Sequence, residues 1–328
     1  MKEKVLVTGI SGYIGQHIAA ELLKQGYSVV GTVRSLNKAM STKASLASVV
    51  SIKKLDFAEA DLLSDKGWDK AMQGCTYVLH VASPFVIAEP KNENDIIDPA
   101  VEGTKRVIAA ALRAGVKRLV VTSSIFSIIG GKASGTCGPE DWSDTNKNIG
   151  AYAKSKTLAE RAAWEAAKNG SMEVVAILPG GVFGPPIGGK AEGQSAVMIQ
   201  TMISGKMPMI PDVAMGMVDV RDVARIQVKS LTAKNVAGRR FIVATSEPVT
   251  MTHLSEVLRH AGYSKVPSRK APTLVMKFMG LFDRDARGLA PLLGQKVSLN
   301  NQATLDILEW KPTPIDTSIV EMAKAISN

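Results

Sequence analysis

Gly9, Gly12 and Gly15 stand in a TGISGYIG run between KVLVT, an apolar β-branched stretch, and YIGQHIAAELLKQGY, where Ile14, Ile18, Ala19 and Leu22 recur at helical spacing. The pattern is strand, glycine turn, helix. At such a junction the chain must turn tightly, let a ligand approach its backbone and pack helix on sheet, and a side chain obstructs each of these. Amides at the helix start then face a pyrophosphate, so Gly9, Ser11, Gly12, Tyr13, Ile14 and Gly15 are the first candidate cofactor contacts. A glycine trio in a chain with 28 glycines says little by itself; its place between a first strand and a helix carries the reading.

Gly26 closes the helix, and YSVVGTV begins a second β-branched run, completing a βαβ unit. Further apolar runs follow around Ile52 and Leu79, from Lys117 and from Glu173, with helical patterns between most of them. Near-continuous apolar strands separated by helices predict an α/β fold with a doubly wound parallel sheet of the Rossmann kind. After Pro179 the loop GGVFGPPIGGK packs five glycines and two prolines together, and the alternation becomes irregular. The expected division is a dinucleotide-binding domain over 1–178, rejoined by roughly 217–245, and a smaller, mostly helical substrate lobe over 179–328. Ile315, Ile319, Met322, Ala323 and Ile326 mark a closing helix with an apolar stripe.

With 328 residues, 45% of them apolar, the chain can build a large core and is not disordered. Forty basic against thirty acidic residues give a net charge of +10, which attracts anions without choosing among them. Scattered basic residues and 5% aromatics give specific nucleic-acid binding little support. Only Cys75 and Cys137 are present, so neither a disulfide framework nor a structural zinc site is expected. His17, His80, His253 and His260 show no ligand-like spacing, and no metal is expected. No run reaches the roughly 18 apolar residues of a membrane span, and the short apolar run after Met1 lacks a secretory core. The expectation is a soluble, cytoplasmic protein.

The second strand chooses the dinucleotide. An NAD-type site needs a carboxylate there for the adenosine ribose; this chain has Thr32, Val33 and Arg34, with Lys38 nearby. A guanidinium suits a 2′-phosphate, so NADPH/NADP+ is the expected cofactor. Asp61, after the third strand, either accepts from the adenine amino group or caps a helix. Tyr152 and Lys156 lie four apart on an alanine-rich helix and share a face. Five tyrosines and 40 basic residues give roughly 0.6 such pairs by chance. The context is the strand ending in Thr122, Ser123 and Ser124, whose carboxyl end in a doubly wound sheet faces the ligand crevice. Three proton-handling groups would meet there. A nearby ammonium favours the phenolate of a tyrosine whose reference pKa is about 10.

TGISGYIG, TVRS, VLHVASPF, DIIDPAVEGTKRVIAAA, KRLVVTSS, EDWSD, YAKSKTLAERAAW, LPGGVFGPP and EWKP occur in this order along nearly the whole chain. The sequence thereby resembles the extended short-chain dehydrogenase/reductase superfamily, in the branch of dihydroflavonol reductases, cinnamoyl-CoA reductases and microbial NADPH-dependent aldehyde and ketone (methylglyoxal-type) reductases. The resemblance implies Ser124 as catalytic serine, Tyr152 as proton donor, and Lys156 as the residue that holds the nicotinamide ribose and lowers the tyrosine pKa. It implies cofactor contacts also at Leu62, Val81, Ala82, Ser83 and Thr122, and at Pro179, Gly180 and Val182, which receive the nicotinamide amide. Substrate contacts are expected at Phe85, Ser124, Tyr152 and Gly180. The family more often has a bulkier residue at Gly180, so this glycine is expected to enlarge the pocket. NIGAYAKSK departs from the cinnamoyl-CoA reductase pattern at the tyrosine, which weighs against an acyl-CoA substrate.

Other residues keep two readings. His80, in an apolar strand, reads as a core histidine rather than a base. Trp142 either covers the site or packs under a loop, and Met207, Met209, Met215 and Met217 either line an apolar pocket or fill gaps. The leading expectation is an NADPH-dependent carbonyl reductase acting on a small molecule, as a monomer or homodimer. Alternatives on the same scaffold are a nucleotide-sugar epimerase/dehydratase, a hydroxysteroid-type dehydrogenase and a noncatalytic NADP sensor.

Overall fold

The computed structural model describes residues 2–84, 88–168, 170–189, 193–279 and 281–327, the side chains of Lys38, Lys277 and Asp285 excepted. Strand β1 (Lys4–Thr8) leads through the glycine turn into α1 (Tyr13–Lys24) and then β2 (Ser28–Val33), α2 (Ala39–Ala47) and β3 (Leu55–Glu59). Helix α3 (Trp68–Met72) precedes β4 (Tyr77–His80), followed by α4 (Asn94–Arg113), β5 (Arg118–Thr122), the short α5 (Phe126–Ile129), β6 (Ser134–Cys137), α6 (Ala151–Ala167) and β7 (Glu173–Pro179). The remainder is β8 (Gly181–Phe183), α7 (Gln194–Ile203), β9 (Ala214–Met215), β10 (Met217–Asp219), α8 (Val220–Ser230) and β11 (Arg240–Val243). Last come β12 (Val249–Thr250), α9 (Met251–His260), α10 (Thr273–Met279), α11 (Arg284–Leu289), β13 (Lys296–Leu299), α12 (Gln302–Ile307) and α13 (Ile315–Ser327).

Seven strands form one parallel sheet in the order β3-β2-β1-β4-β5-β7-β11. The expected doubly wound sheet is therefore present, with its strand order reversing between β1 and β4. Val5, Leu6 and Val7, like Leu119 and Val120, are fully buried, as strands covered on both faces must be. Helices α1 and α8 pack together on one face, where Ile18, Leu22, Val223 and Phe241 share a core. Helices α4 and α6 pack together on the other, over Val107, Ile108, Leu119 and Ala163. Gly26 ends α1 with φ +86°, a left-handed conformation that glycine adopts without strain.

Two differences from the sequence reading have plain causes. The run around Ile52 is a turn, with the Leu55 amide bonded to the Ile52 carbonyl at 3.1 Å, and the strand begins three residues later where Leu55 pairs with Val29. Within 217–245, α8 lies on α1 and β11 extends the main sheet beside β7, while Met217–Asp219, read as the start of the helix, form β10, paired with β8 in a separate two-stranded sheet. The C-terminal portion is largely helical, its core built from α7, α9 and α13 around Ile199, Leu254 and Ile319. Met207, Met215 and Met217 belong to that core, so these methionines fill gaps between helices.

Candidate active site

The carboxyl ends of adjacent strands line up nearly every candidate residue. Taken along the sheet from β3, they are Asp61 and Leu62 after β3, Arg34 after β2, Gly9 after β1, Val81 to Ser83 after β4, Thr122 to Ser124 at β5, and Pro179 to Val182 after β7. Four strand intervals separate β2 from β7, about 19 Å at about 4.8 Å each, a span suited to an extended dinucleotide.

The three glycines meet different surroundings. Gly9 has φ +67°, and a Cβ there would lie 2.9 Å from the Ala82 Cα, so this turn passes directly against the end of β4. A Cβ at Gly15 would lie 2.3 Å from the Gly9 carbonyl oxygen, which fixes helix-to-loop packing. At Gly12 the nearest atom would be 3.4 Å away, so the fold itself leaves room for a side chain there. Gly12 is also the N-cap of α1, with no side chain capping the first amides, which leaves them available to an anion. Tyr13 turns away from that loop and donates to the Gly184 carbonyl at 2.7 Å, while Ile14 packs into the core and Ser11 accepts from the Gln16 amide through its carbonyl. Arg34 is exposed and makes no ion pair among the described residues. The Lys38 side chain and Phe85 lie outside the described residues.

Beneath the loop, Thr8 organises the β1–β4 junction. Its hydroxyl accepts from the Val81 and Ala82 amides, both at 2.9 Å, and contacts His80 Nδ1 at 2.9 Å. With two donors already received, the hydroxyl proton is directed to Nδ1, which leaves His80 protonated on Nε2 and donating to Thr104 at 3.3 Å. Burial, aided by the charge of Lys156, pushes the His80 pKa down to about 3. It is a neutral core histidine.

Ser124 sits two residues beyond β5, buried, its hydroxyl accepting the Phe126 amide at 3.2 Å. The Tyr152 hydroxyl is hydrogen-bonded to Ser124, and the Phe126 ring meets the Tyr152 ring edge-on at 5.6 Å. Lys156 is buried, donates to the Thr122 carbonyl at 3.4 Å and has its Nζ 5.9 Å from the Tyr152 ring centroid. Burial raises the Tyr152 pKa, the Ser124 bond opposing it, and burial lowers Lys156 to about 8. In this state the tyrosine is held neutral, beside the Ser124 hydroxyl.

Several residues depart from expectation. Asp61 accepts from the Leu63 amide at 2.9 Å, closing a turn rather than capping α3, whose N-cap is Gly67. A Cβ at Gly180 would lie 2.2 Å from the Gly216 carbonyl oxygen and 2.9 Å from the Ala244 Cβ. This glycine therefore accommodates a crossing backbone and does not enlarge a pocket. Val182 pairs with Val218 and packs into the core, while the Pro179 carbonyl receives the Ile125 amide at 3.0 Å. Trp142 is stacked under Arg240 at 3.8 Å, a packing role.

Sequence reasoning missed Glu89. Its carboxylate accepts the Ala151 amide at 3.1 and 3.3 Å, capping α6 from a distant segment because the N-cap Gly150 offers no side chain. It also missed the buried pair of Glu160 and Arg240 behind Ser123. A cavity of about 320 Å3 borders Phe126, Ile149, Lys132, Lys147, Leu292 and Leu293.

A glycine-turn Rossmann sheet with serine, tyrosine and lysine gathered at the end of β5 defines the extended short-chain dehydrogenase/reductase class. The chain belongs to it: the model of the NAD dependent epimerase/dehydratase family matches residues 5–244. A cinnamoyl-CoA reductase of Medicago truncatula is 34% identical over 263 residues, 78% of each chain. A dihydroflavonol 4-reductase of Gerbera hybrida is 32% identical over 286 residues, 84% of this chain and 75% of the relative. Among solved structures, the yeast methylglyoxal/isovaleraldehyde reductase complexed with NADPH superposes with a TM-score of 0.81 at 24% identity, covering 98% of each chain. The UDP-glucose 4-epimerase of Thermotoga maritima superposes with a TM-score of 0.79 at 18% identity, covering 99% of this chain and 98% of its own. These two likenesses establish the shared fold.

Proposed function

We propose that the protein is an NADPH-dependent carbonyl reductase that converts an aldehyde or ketone to an alcohol, with Tyr152 as proton donor. The observation that carries this is the convergence of Ser124, Tyr152 and Lys156 at the end of β5, on the same edge of the sheet as the glycine loop after β1 and separated from it by β4. NADPH fits the residues present: unobstructed amides at the start of α1, space above Gly12, and the unpaired Arg34 where a 2′-phosphate would lie. The relatives named as reductases, and the NADPH complex of a protein with this fold, support the same choice. When bound, the cofactor supplies hydride. Ser124 orients the carbonyl oxygen, Tyr152 gives that oxygen a proton, and Lys156 holds the ribose and stabilises the phenolate left behind.

The cavity beside Ile149 meets the proposed catalytic centre through Phe126, whose ring packs edge-on against Tyr152, and its volume supports a substrate of medium size with apolar or aromatic groups. The family model and the epimerase fold keep a second reading, interconversion of a sugar nucleotide on a retained dinucleotide. Arg34 and the compact Asp141–Asp144 connection weigh against it. The experiment is optical measurement of NADPH oxidation against aldehydes, diketones, ketoesters and sugar nucleotides. Net oxidation with carbonyl compounds supports the reductase; conversion of a UDP-sugar without net oxidation would sink it. The pairing of residues 1–178, rejoined by roughly 217–245, with a substrate lobe over the rest of 179–328 belongs to the same proposal.

A further inference from the structure

One buried charge lies next to this centre and has no part in the chemistry described above. Glu160 is 1% exposed, and its ion partner Arg240 is 9% exposed. Tyr152, Lys156 and Glu160 follow one another at intervals of four on α6 and so share a face. Every lone pair of the carboxylate is engaged: Oε1 accepts from Arg240 Nε at 2.6 Å and from Trp164 at 3.3 Å, and Oε2 accepts from Ser123 at 2.5 Å and from Arg240 Nη2 at 3.1 Å. Arg240 is equally committed, reaching Ser127 at 3.0 Å and the carbonyls of Pro139 and Asp141 at 2.7 and 2.5 Å. Lys156, Glu160, Ser123, His80 and Thr104 also line a single narrow cavity under the strand ends. A buried ion pair is expensive to desolvate and is poor evidence of stabilisation. Its location therefore asks for another explanation.

We propose that Glu160 is a positioning residue for the catalytic centre: its carboxylate pins the strand end bearing Ser124 through Ser123, and places a negative charge one helical turn from the Lys156 ammonium. The proposal rests on the reading of Lys156 as the ribose-holding ammonium of a reductase. Burial pulls Lys156 down to about 8 while Glu160 acts in the opposite direction, so the carboxylate favours the charged lysine. The other groups facing Lys156 do not substitute for it. From β4 comes His80, neutral; from β5 the Thr122 carbonyl; from α4 the Thr104 hydroxyl; from β11 Arg240, on Glu160 itself. Tyr152, on the same helix, is held neutral by burial. The Lys154–Glu93 pair joins α6 to α4 on their accessible side.

A purely structural pair would alter stability and turnover together but leave the pH dependence in place. The test is the pH profile of kcat/KM, with NADPH dissociation constants, for the wild type, Glu160→Gln and Glu160→Asp. Without the charge, the alkaline limb should move down by about one pH unit, and NADPH should bind about tenfold more weakly at pH 8 than in the wild type. Glu160→Asp should restore the limb. Because Glu160→Gln leaves Arg240 unpaired and risks misfolding, the double variant Glu160→Gln/Arg240→Met is measured as well; it buries no lone charge. The same downward limb in that folded variant supports the proposal. A limb at the wild-type position in either folded variant overturns it. Tyr152→Phe, assayed alongside, separates the two failures: an inactive Tyr152→Phe with an unmoved Glu160 limb rejects only the role of Glu160, whereas an active one rejects the reductase reading beneath it.

Discussion

Arg34 shows how much one side chain decides. It is exposed at the end of β2 and has no competing carboxylate partner among the described residues. A charge-assisted bond to a 2′-phosphate is worth about 1.5 to 3 kcal/mol, or about ten- to over a hundredfold in affinity. NADPH should therefore bind at least about tenfold tighter than NADH, and Arg34→Ala should erase most of the gap in parallel titrations. A wild-type preference for NADH would reverse the assignment. Gly15→Ala should be worse tolerated than Gly12→Ala in a thermal melt, because its Cβ meets the Gly9 carbonyl oxygen at 2.3 Å rather than 3.4 Å. The placement of these residues was legible in the sequence because each pattern is local: a glycine in a turn, a cation at a strand end, a tyrosine and lysine on one helical face. Gly180 was misread for the converse reason. What excludes its side chain is the Gly216 carbonyl, 36 positions away, and no local pattern announces it.

At the level of elements, α6 is the component on which the site depends. Tyr152 is its second residue, in the turn where backbone amides lack intrahelical partners, and the cap comes from Glu89 across space. The same segment is tied to α11, since the Glu89 amide donates to the Arg284 carbonyl at 3.1 Å and Arg284 Nε returns a bond to the Glu89 carbonyl at 2.8 Å. Glu89→Ala should cost about 1 kcal/mol, the usual value of a lost cap, seen as a lower urea midpoint. It should also reduce kcat more than NADPH affinity, because the loosened turn carries Tyr152, the proposed proton donor. Equal loss of both would show that Glu89 acts on the cofactor site instead. Most strands and helices of the first half could be read from periodicity, the run around Ile52 excepted. Glu89, Glu160 and Arg240 could not, since capping across 62 residues and pairing across 80 leave no spacing to recognise.

Across the whole molecule, seven parallel strands set the carboxyl ends in a row, so residues far apart in the chain meet in a single crevice. The doubly wound architecture was visible from alternating apolar runs. The pairing of β8 with β10 was not, because short strands after a glycine-rich loop carry little pattern. Neutral histidines link this packing to pH. His17 donates to the Pro185 carbonyl at 3.1 Å, and burial holds its pKa near 4, about as His80 is held near 3. Both lie below the unfolded value of about 6.5, so the unfolded chain takes protons first and stability falls as pH drops from about 6.5 toward 4. Urea midpoints at pH 7 and 5 should show this, with a smaller difference in His17→Gln; an unchanged difference would mean that His17 is not a source. The central claim, however, is chemical, and Tyr152→Phe tests it most directly because only the hydroxyl is lost. With NADPH affinity and fold measured in the same preparation, turnover of a carbonyl substrate should fall by about 10² to 10⁴ while cofactor binding is retained. Near-normal turnover in that variant would contradict the assignment of Tyr152 as the proton donor.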